Sequence, residues 1–304
     1  MASGITIYEV AEKAGVSSAT VSRVLNNKTN VSSETRAKVL NAASELGYRD
    51  AYGSITAPLA LNTIGVAVKR DPDVDQNIDP FNYQIITGIE AECQRMGMNM
   101  MYTSILVDEY GHATALPQML IDPTIDGLIL IGAFFEKTIL SISDRASLPV
   151  VLVDACTSAD LKFDAVLTDN VTSAREAVSY LIAQGHRHIG LIGSLNEPSE
   201  HVSIQERRQG YLAALSEHDI GESHIEPSHL TQADSYHAVQ RLLNRAPHIT
   251  AIFACNDDVA VGVIRGLRDI NLNVPKDVSV IGFDDTIHGQ LSEPKLTTMY
   301  VDKS

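Results

Sequence analysis

Ser18, Ala19, Ser22 and Arg23 stand at i, i+1, i+4 and i+5 of a short amphipathic segment, SSATVSRVLN. They share the face opposite Val21, Val24 and Leu25. A guanidinium among small polar side chains on one helical face is equipped to read nucleic acid. Its fork matches O6 and N7 of guanine, which assigns Arg23 to a base edge. Hydroxyls such as those of Thr20 and Ser22 suit phosphate oxygens, where a contact positions the protein without specifying sequence. Ala19 is too short to hydrogen-bond and offers at most a thymine-methyl contact. The plainer reading of Arg23 is a solvated helix charge.

The elements that must hold this face outward lie on either side of it. Thr6 caps a preceding helix whose Ile7, Val10, Ala11 and Ala14 fall at i, i+3, i+4 and i+7. Gly15-Val16-Ser17 makes the tight turn between the two. A third helix over about 33–46 carries Val39, Leu40, Ala43 and Leu46 inward, and Gly47 stops it. Three short helices with one Arg-bearing face outward have the geometry of a helix-turn-helix in the major groove.

Charge does not advertise this role. The chain of 304 residues has a formal net charge of -15, yet residues 1–60 carry six cations against five acids, leaving -16 for the remainder. So small and nearly neutral a module is expected to bind weakly and to rely on dimerisation, because phosphate neutralisation supplies most non-specific affinity. A hydrophobic fraction of 44% and a charged fraction of 20% are ordinary for a soluble globular protein. Cys93, Cys156 and Cys255 form no C-x-x-C pair and read as buried free thiols in a reducing cytosol. With no charged-then-apolar leader and no apolar run approaching the ~20 residues of a membrane span, the expected location is cytoplasmic.

After Tyr48 the periodicity lapses into RDAYGSITAPLALN, read as a hinge or linker over 51–62. Beyond Thr63 short β-branched or apolar runs (63–68, 99–104, 127–131, 150–153, 165–168, 188–192, 251–254 and 278–283) alternate with helical stretches. The helices fall at about 82–96, 171–184, 203–218, 235–244 and 257–269. This alternation predicts parallel sheets with helices on both faces, divided into two lobes whose shared crevice receives a ligand at strand carboxyl ends.

The run ITIYEVAEKAGVSSATVSRVLNNKTNVSSETRAKVLNAASELGYR closely resembles the DNA-binding head of the LacI/GalR family of bacterial transcriptional repressors. Further matching motifs follow in the family's order: DGLILIG, PVVLVD, GHRHIGLIG, RRQGYLAAL, ACNDDVAVGVIRGL, VPKDVSVIGFDD and PKLTT. The resemblance covers essentially the whole chain. It implies an all-α helix-turn-helix head (1–50) and an α/β core (63–304) of two Rossmann-like lobes of the periplasmic-binding-protein type. The expected N-lobe is about 63–164 plus 297–304, and the C-lobe about 165–296. Family members continue past the LTT motif with a further helix and strands, so the N-lobe is expected to be incomplete.

The implied function is a homodimeric repressor on a near-palindromic double-stranded operator, its affinity set by a sugar-like effector between the lobes. The expected DNA contacts are Ser17, Ser18, Ala19, Thr20, Ser22 and Arg23, flanked by Thr6, Asn30 and Leu59. The family's hinge helix wedges a Leu into the minor groove; here Ile55 and Leu59 are the candidate wedges. Gly53 and Pro58 disfavour a helix there, and the family's hinge Arg is missing. The positions matching the effector site are Asp154, Arg207, Asn256 and Asp284, whose groups suit forked hydrogen bonds to sugar hydroxyls. Either Asp equally suits a turn or helix cap. Phe81 and Tyr83 offer an aromatic face to a sugar ring, although plain packing is the simpler reading.

The competing reading is a cytosolic sugar-binding protein with a non-functional head, suggested by the altered hinge and the weakly charged head. No G-x-G-x-x-G, P-loop, G-x-S-x-G or H-E-x-x-H occurs, so no enzyme, cofactor or metal is expected. DPDVDQNID at 71–79 imitates half an EF-hand loop, but the required Gly and Glu are Gln76 and Asn82. His186 and His188 have no second ligand pair at metal spacing and read as structural.

Overall fold

The computed structural model describes residues 5–25, 31–46, 48, 61–70, 79–108, 112–121, 124–132, 134, 136–146, 148–155, 157, 163–195, 197 and 200–303. These form two compact units, residues 1–62 and 63–304. Gly47, Cys156 and the segments 51–60 and 71–78 lie outside the described residues.

The first unit contains α1 (Ile7–Ala14), α2 (Ser18–Leu25) and α3 (Ser33–Leu46) around Val10, Ala11, Val21, Val24, Val39, Ala42 and Ala43. A reciprocal capping box opens α1: the Thr6 hydroxyl accepts from the Glu9 N–H, and the Glu9 carboxylate accepts from the Thr6 N–H at 2.6 Å. Gly15 ends it in the left-handed conformation (φ 67°), freeing the Val16 N–H to bond the Ala11 carbonyl at 3.0 Å. Ser17 then caps α2, its Oγ accepting from the Thr20 N–H at 3.1 Å. On α3 the buried stripe is Val39, Ala42 and Ala43, while Leu40 and Leu46 reach only its margin. Helical periodicity alone puts Leu40 and Leu46 fully inward and does not single out Ala42.

The second unit has two parallel sheets. The first orders β2 (Asn99–Leu106), β1 (Thr63–Arg70), β3 (Gly127–Ile131), β4 (Val150–Val153) and β5 (Asp164–Val166). The second orders β10 (Thr297–Tyr300), β9 (Ser279–Asp284), β8 (Ala251–Ala254), β6 (Ile189–Ile192) and β7 (His224–Glu226). Both have the same winding, so each has a switch point where the strand order reverses, between β1 and β3 and between β6 and β8. The helices are α4 (Pro80–Met96), α5 (Gln118–Ile121), α6 (Glu136–Ala146), α7 (Asn170–Ala183), α8 (Val202–Glu217), α9 (Gln232–Arg245), α10 (Asp257–Asp269) and α11 (Ile287–Gln290). Every residue of β6 and β8 is buried, as strands covered by helices on both faces must be. Tyr211, Phe253 and Phe283 are fully buried, each contributing about 1.5–3 kcal/mol by leaving water. The backbones of α7 and α8 approach closely at Gly210, where a Cβ would lie 2.4 Å from the Val171 carbonyl.

Two lobe assignments change. β5 pairs with β4 and stays in the first sheet, so the boundary falls after Val166. β10 pairs with β9 and extends the second sheet, whereas the resemblance implies 297–304 in the first. There the Thr298 hydroxyl donates to buried Asp257 Oδ1 at 2.6 Å, a contact 41 residues apart along the chain that ties β10 to the start of α10. Cys93 and Cys255 are buried free thiols. No described helix is long and apolar enough to cross a membrane.

Candidate functional site

On the head, α2 turns Ala19 and Arg23 to solvent while Val21 and Val24 enter the core. Ser18, Thr20 and Ser22 are half-buried between these faces, and Ser17 is exposed. The capping hydroxyl of Ser17 lies 2.8 Å from the Thr20 hydroxyl, so the pair orders the start of α2 and still has lone pairs to spare. The amino end of α2 presents N–H groups and a positive dipole end, an arrangement that favours a phosphate, while Arg23 stands in its last turn. Thr6 is committed locally: its hydroxyl is 2.8 Å from Glu9 Oε2. Asn30, Ile55 and Leu59 lie outside the described residues.

In the core, the site is built from strand ends. Asp154 follows β4 at φ 53° and Asp284 ends β9 at φ 102°, left-handed conformations that these residues hold at a cost of roughly 1–3 kcal/mol each. Arg207, on α8 and 4% exposed, gathers the surrounding groups. Its Nη2 donates to Asp284 Oδ1 at 3.0 Å, Nη1 to the Cys255 carbonyl at 2.6 Å, and Nε to Asn170 Oδ1 at 3.0 Å. The guanidinium carbon rests 3.7 Å from the centroid of the Phe283 ring. Three of its five N–H donors are thus used among the described residues.

Asp154 faces this cluster from the other lobe. Burial pushes its carboxyl up to about 7; Arg207 opposes the rise, and Asp284, Glu206 and Asp79 add to it. His201, at the amino end of α8, meets it with Nε2 3.5 Å from Asp154 Oδ2. Nδ1 of His201 accepts from the Ser203 N–H at 3.3 Å, which places the ring proton on Nε2, toward the carboxyl. The loop carrying His201 is held by Arg208, whose Nη1 bonds Glu200 Oε2 at 2.8 Å and Ser194 Oγ at 2.7 Å.

Asp154, Arg207 and Asp284 therefore converge. Asn256 is adjacent to Cys255 and caps α10, its Oδ1 accepting from the Val259 N–H at 2.8 Å. Phe81 packs against the hydrophobic clusters of both lobes. Tyr83 is 58% exposed. The pairing of Phe81 with Tyr83 as one aromatic face fails because both lie in α4, where two residues turn the side chain by roughly 200°. His201, Asn170 and Lys303 come from different elements and have no local sequence pattern, while Asp79 has only the local signature of a helix cap. Asp79 caps α4, and burial raises its carboxyl, helped by Asp284 and Asp258. Lys303 Nζ donates to the carbonyls of Asp284 and Val301. A cavity of about 370 Å³ adjoins it, lined by Gln84, Thr87, Asp285, Gln290 and Tyr300 among others, and by none of the six expected effector residues.

Residues 6–50 match the bacterial regulatory proteins of the lacI family, and residues 178–304 the periplasmic binding protein-like domain. Over 299 residues the chain is 34% identical to catabolite control protein A of Priestia megaterium, covering 97% of this chain and 87% of that protein. The chain belongs to the LacI family. This LacI-family regulator is also 34% identical to the transcriptional repressor CytR of Escherichia coli K12, covering 97% of this chain and 84% of CytR. Its fold is similar to that of the transcriptional regulator CelR in complex with cellobiose (TM-score 0.66, 26% identity, 98% of this chain and 88% of that one). It thus combines a DNA-binding head with an effector-binding core, and the reading of a binding protein with a disabled head is not favoured. These relatives are transcriptional regulators rather than enzymes.

Proposed function

We propose that this regulator acts in the cytoplasm as a homodimeric repressor, without enzymatic activity, on a near-palindromic operator. The effector is a neutral, hydroxyl-rich small molecule, a sugar, held between the lobes. The observation that carries this reading is the convergence of Asp154, Arg207 and Asp284 at strand ends of two lobes. Carboxylates outnumber cations here, which suits hydroxyl donors and opposes a phosphorylated ligand. The cellobiose held by CelR has the same chemistry. Contacts to Asp154 from one side and Arg207 from the other favour one lobe arrangement, and that differential affinity is what moves the operator equilibrium.

On the head, Arg23 reads a guanine, Ala19 borders a thymine methyl, Ser18 joins them at the base edges, and Thr20 and Ser22 contact phosphates, with Thr6, Ser17, Asn30 and Leu59 flanking. Gel-shift titrations against DNA upstream of the gene, at two salt concentrations and with a panel of neutral and phosphorylated sugars, test the scheme. A salt-sensitive shift altered by one neutral sugar is expected. An unaltered shift across the panel removes the sugar reading, and no shift at either salt removes the operator. Arg23→Ala is expected to weaken specific binding by about 1–3 kcal/mol and relax preference at one base pair. Unchanged preference would show that α2 reads the groove with other residues.

A further inference from the structure

At the amino ends of β6, β7 and β8, the opposite end of the second sheet from the crevice, three histidines and a glutamate gather. His188 immediately precedes β6, His224 is the first residue of β7, and His248 lies three residues before β8. Glu222 sits two residues before β7. One ligand atom from each lies within 4.8 Å of those of all the others.

The separations match a coordination sphere. His224 Nε2 is 3.4 Å from His248 Nε2 and 3.6 Å from Glu222 Oε2, and His248 Nε2 is 3.8 Å from the same oxygen. Tetrahedral zinc with nitrogen and oxygen ligands at 2.0–2.2 Å requires ligand atoms about 3.4 Å apart. His188, an exposed side chain whose ring centroid is 4.6 Å from that of His248, brings its ligand nitrogen within 4.8 Å of the other three and completes the set.

The backbone beneath is fixed. The fully buried Tyr211 hydroxyl donates to the Ile189 carbonyl at 2.8 Å and accepts from the His224 N–H at 3.0 Å, joining the starts of β6 and β7. The His188 carbonyl accepts from the Thr250 N–H at 3.0 Å, joining β6 to the approach of β8. The neighbouring cation Arg245 is engaged by Glu226 at 2.9 Å. His186, by contrast, spends both ring nitrogens on Thr250 and Ser279, at 2.9 and 3.0 Å, and is structural. Sequence spacing groups His188 with His186 as structural, because the other ligands are 34 to 60 residues away along the chain.

We propose that His188, Glu222, His224 and His248 form a binding site for a divalent transition-metal ion of the zinc class. Three imidazoles and one carboxylate suit zinc, nickel or copper, and not calcium or magnesium, which take oxygen ligands. The ion ties together three strands of the lobe at the pole away from the effector.

The test titrates the full chain with Zn²⁺ in competition with a chromophoric chelator at pH 7.5. One ion per chain is expected, with a rise in Tm that Mg²⁺ does not reproduce. His188→Ala with His248→Ala, both exposed positions, is expected to weaken binding at least a hundredfold while leaving the far-UV circular dichroism unchanged. His218→Ala, an exposed histidine outside the cluster, is expected to bind as the parent does. Absent stoichiometric binding, or equal affinity in the double variant, overturns the assignment.

Discussion

Asp154→Asn separates the cost of building the crevice from its use. The side chain is 19% exposed, and its carboxyl is pushed from the ordinary 3.8 up to about 7, chiefly by burial. Between those pH values the folded chain holds a proton that the unfolded chain releases, so stability falls as pH rises and levels off above about 7. A tenfold difference in proton affinity is worth about 1.4 kcal/mol, which puts the full loss at no more than about 4 kcal/mol. About 3 kcal/mol of it falls between pH 5 and pH 8. Asparagine keeps the shape and an acceptor for His201 but cannot ionise. The variant is therefore expected to gain stability relative to the parent at pH 8, and much less at pH 5. Urea unfolding of both proteins at the two pH values, without ligand, gives the double difference directly. A double difference below about 0.5 kcal/mol would refute the claim that desolvation of Asp154 is what the crevice costs.

Arg207→Met is expected to destabilise the core by about 3–5 kcal/mol, because Asp284, Asn170 and the Cys255 carbonyl lose a buried partner at once; the shift in urea midpoint checks it. Ser17→Ala removes the cap of α2 and is expected to cost about 1 kcal/mol, seen as earlier melting of the head by far-UV circular dichroism, with Ser17→Gly nearer the parent.

Local elements and their class are written in the chain itself. Caps, the Gly15 turn and helical periodicity each lie within a few residues of one another, so α1, α2, α3 and the long core helices are legible, as are eight of the strands. The outward face of α2 is legible for the same reason, since its orientation follows from which neighbours are apolar. Elements without a local signal are not: β7 is three residues long, and β10 is held in its sheet by Thr298 reaching Asp257, 41 residues away. Of the effector-site positions implied by the resemblance, Arg207 and Asp284 are hydrogen-bonded to each other, and Asp154 lies near enough to feel both charges. Their partners, and the cluster of His188 with His224 and His248, are decided by tertiary structure, because parallel strands bring together residues that the intervening helices keep far apart along the chain.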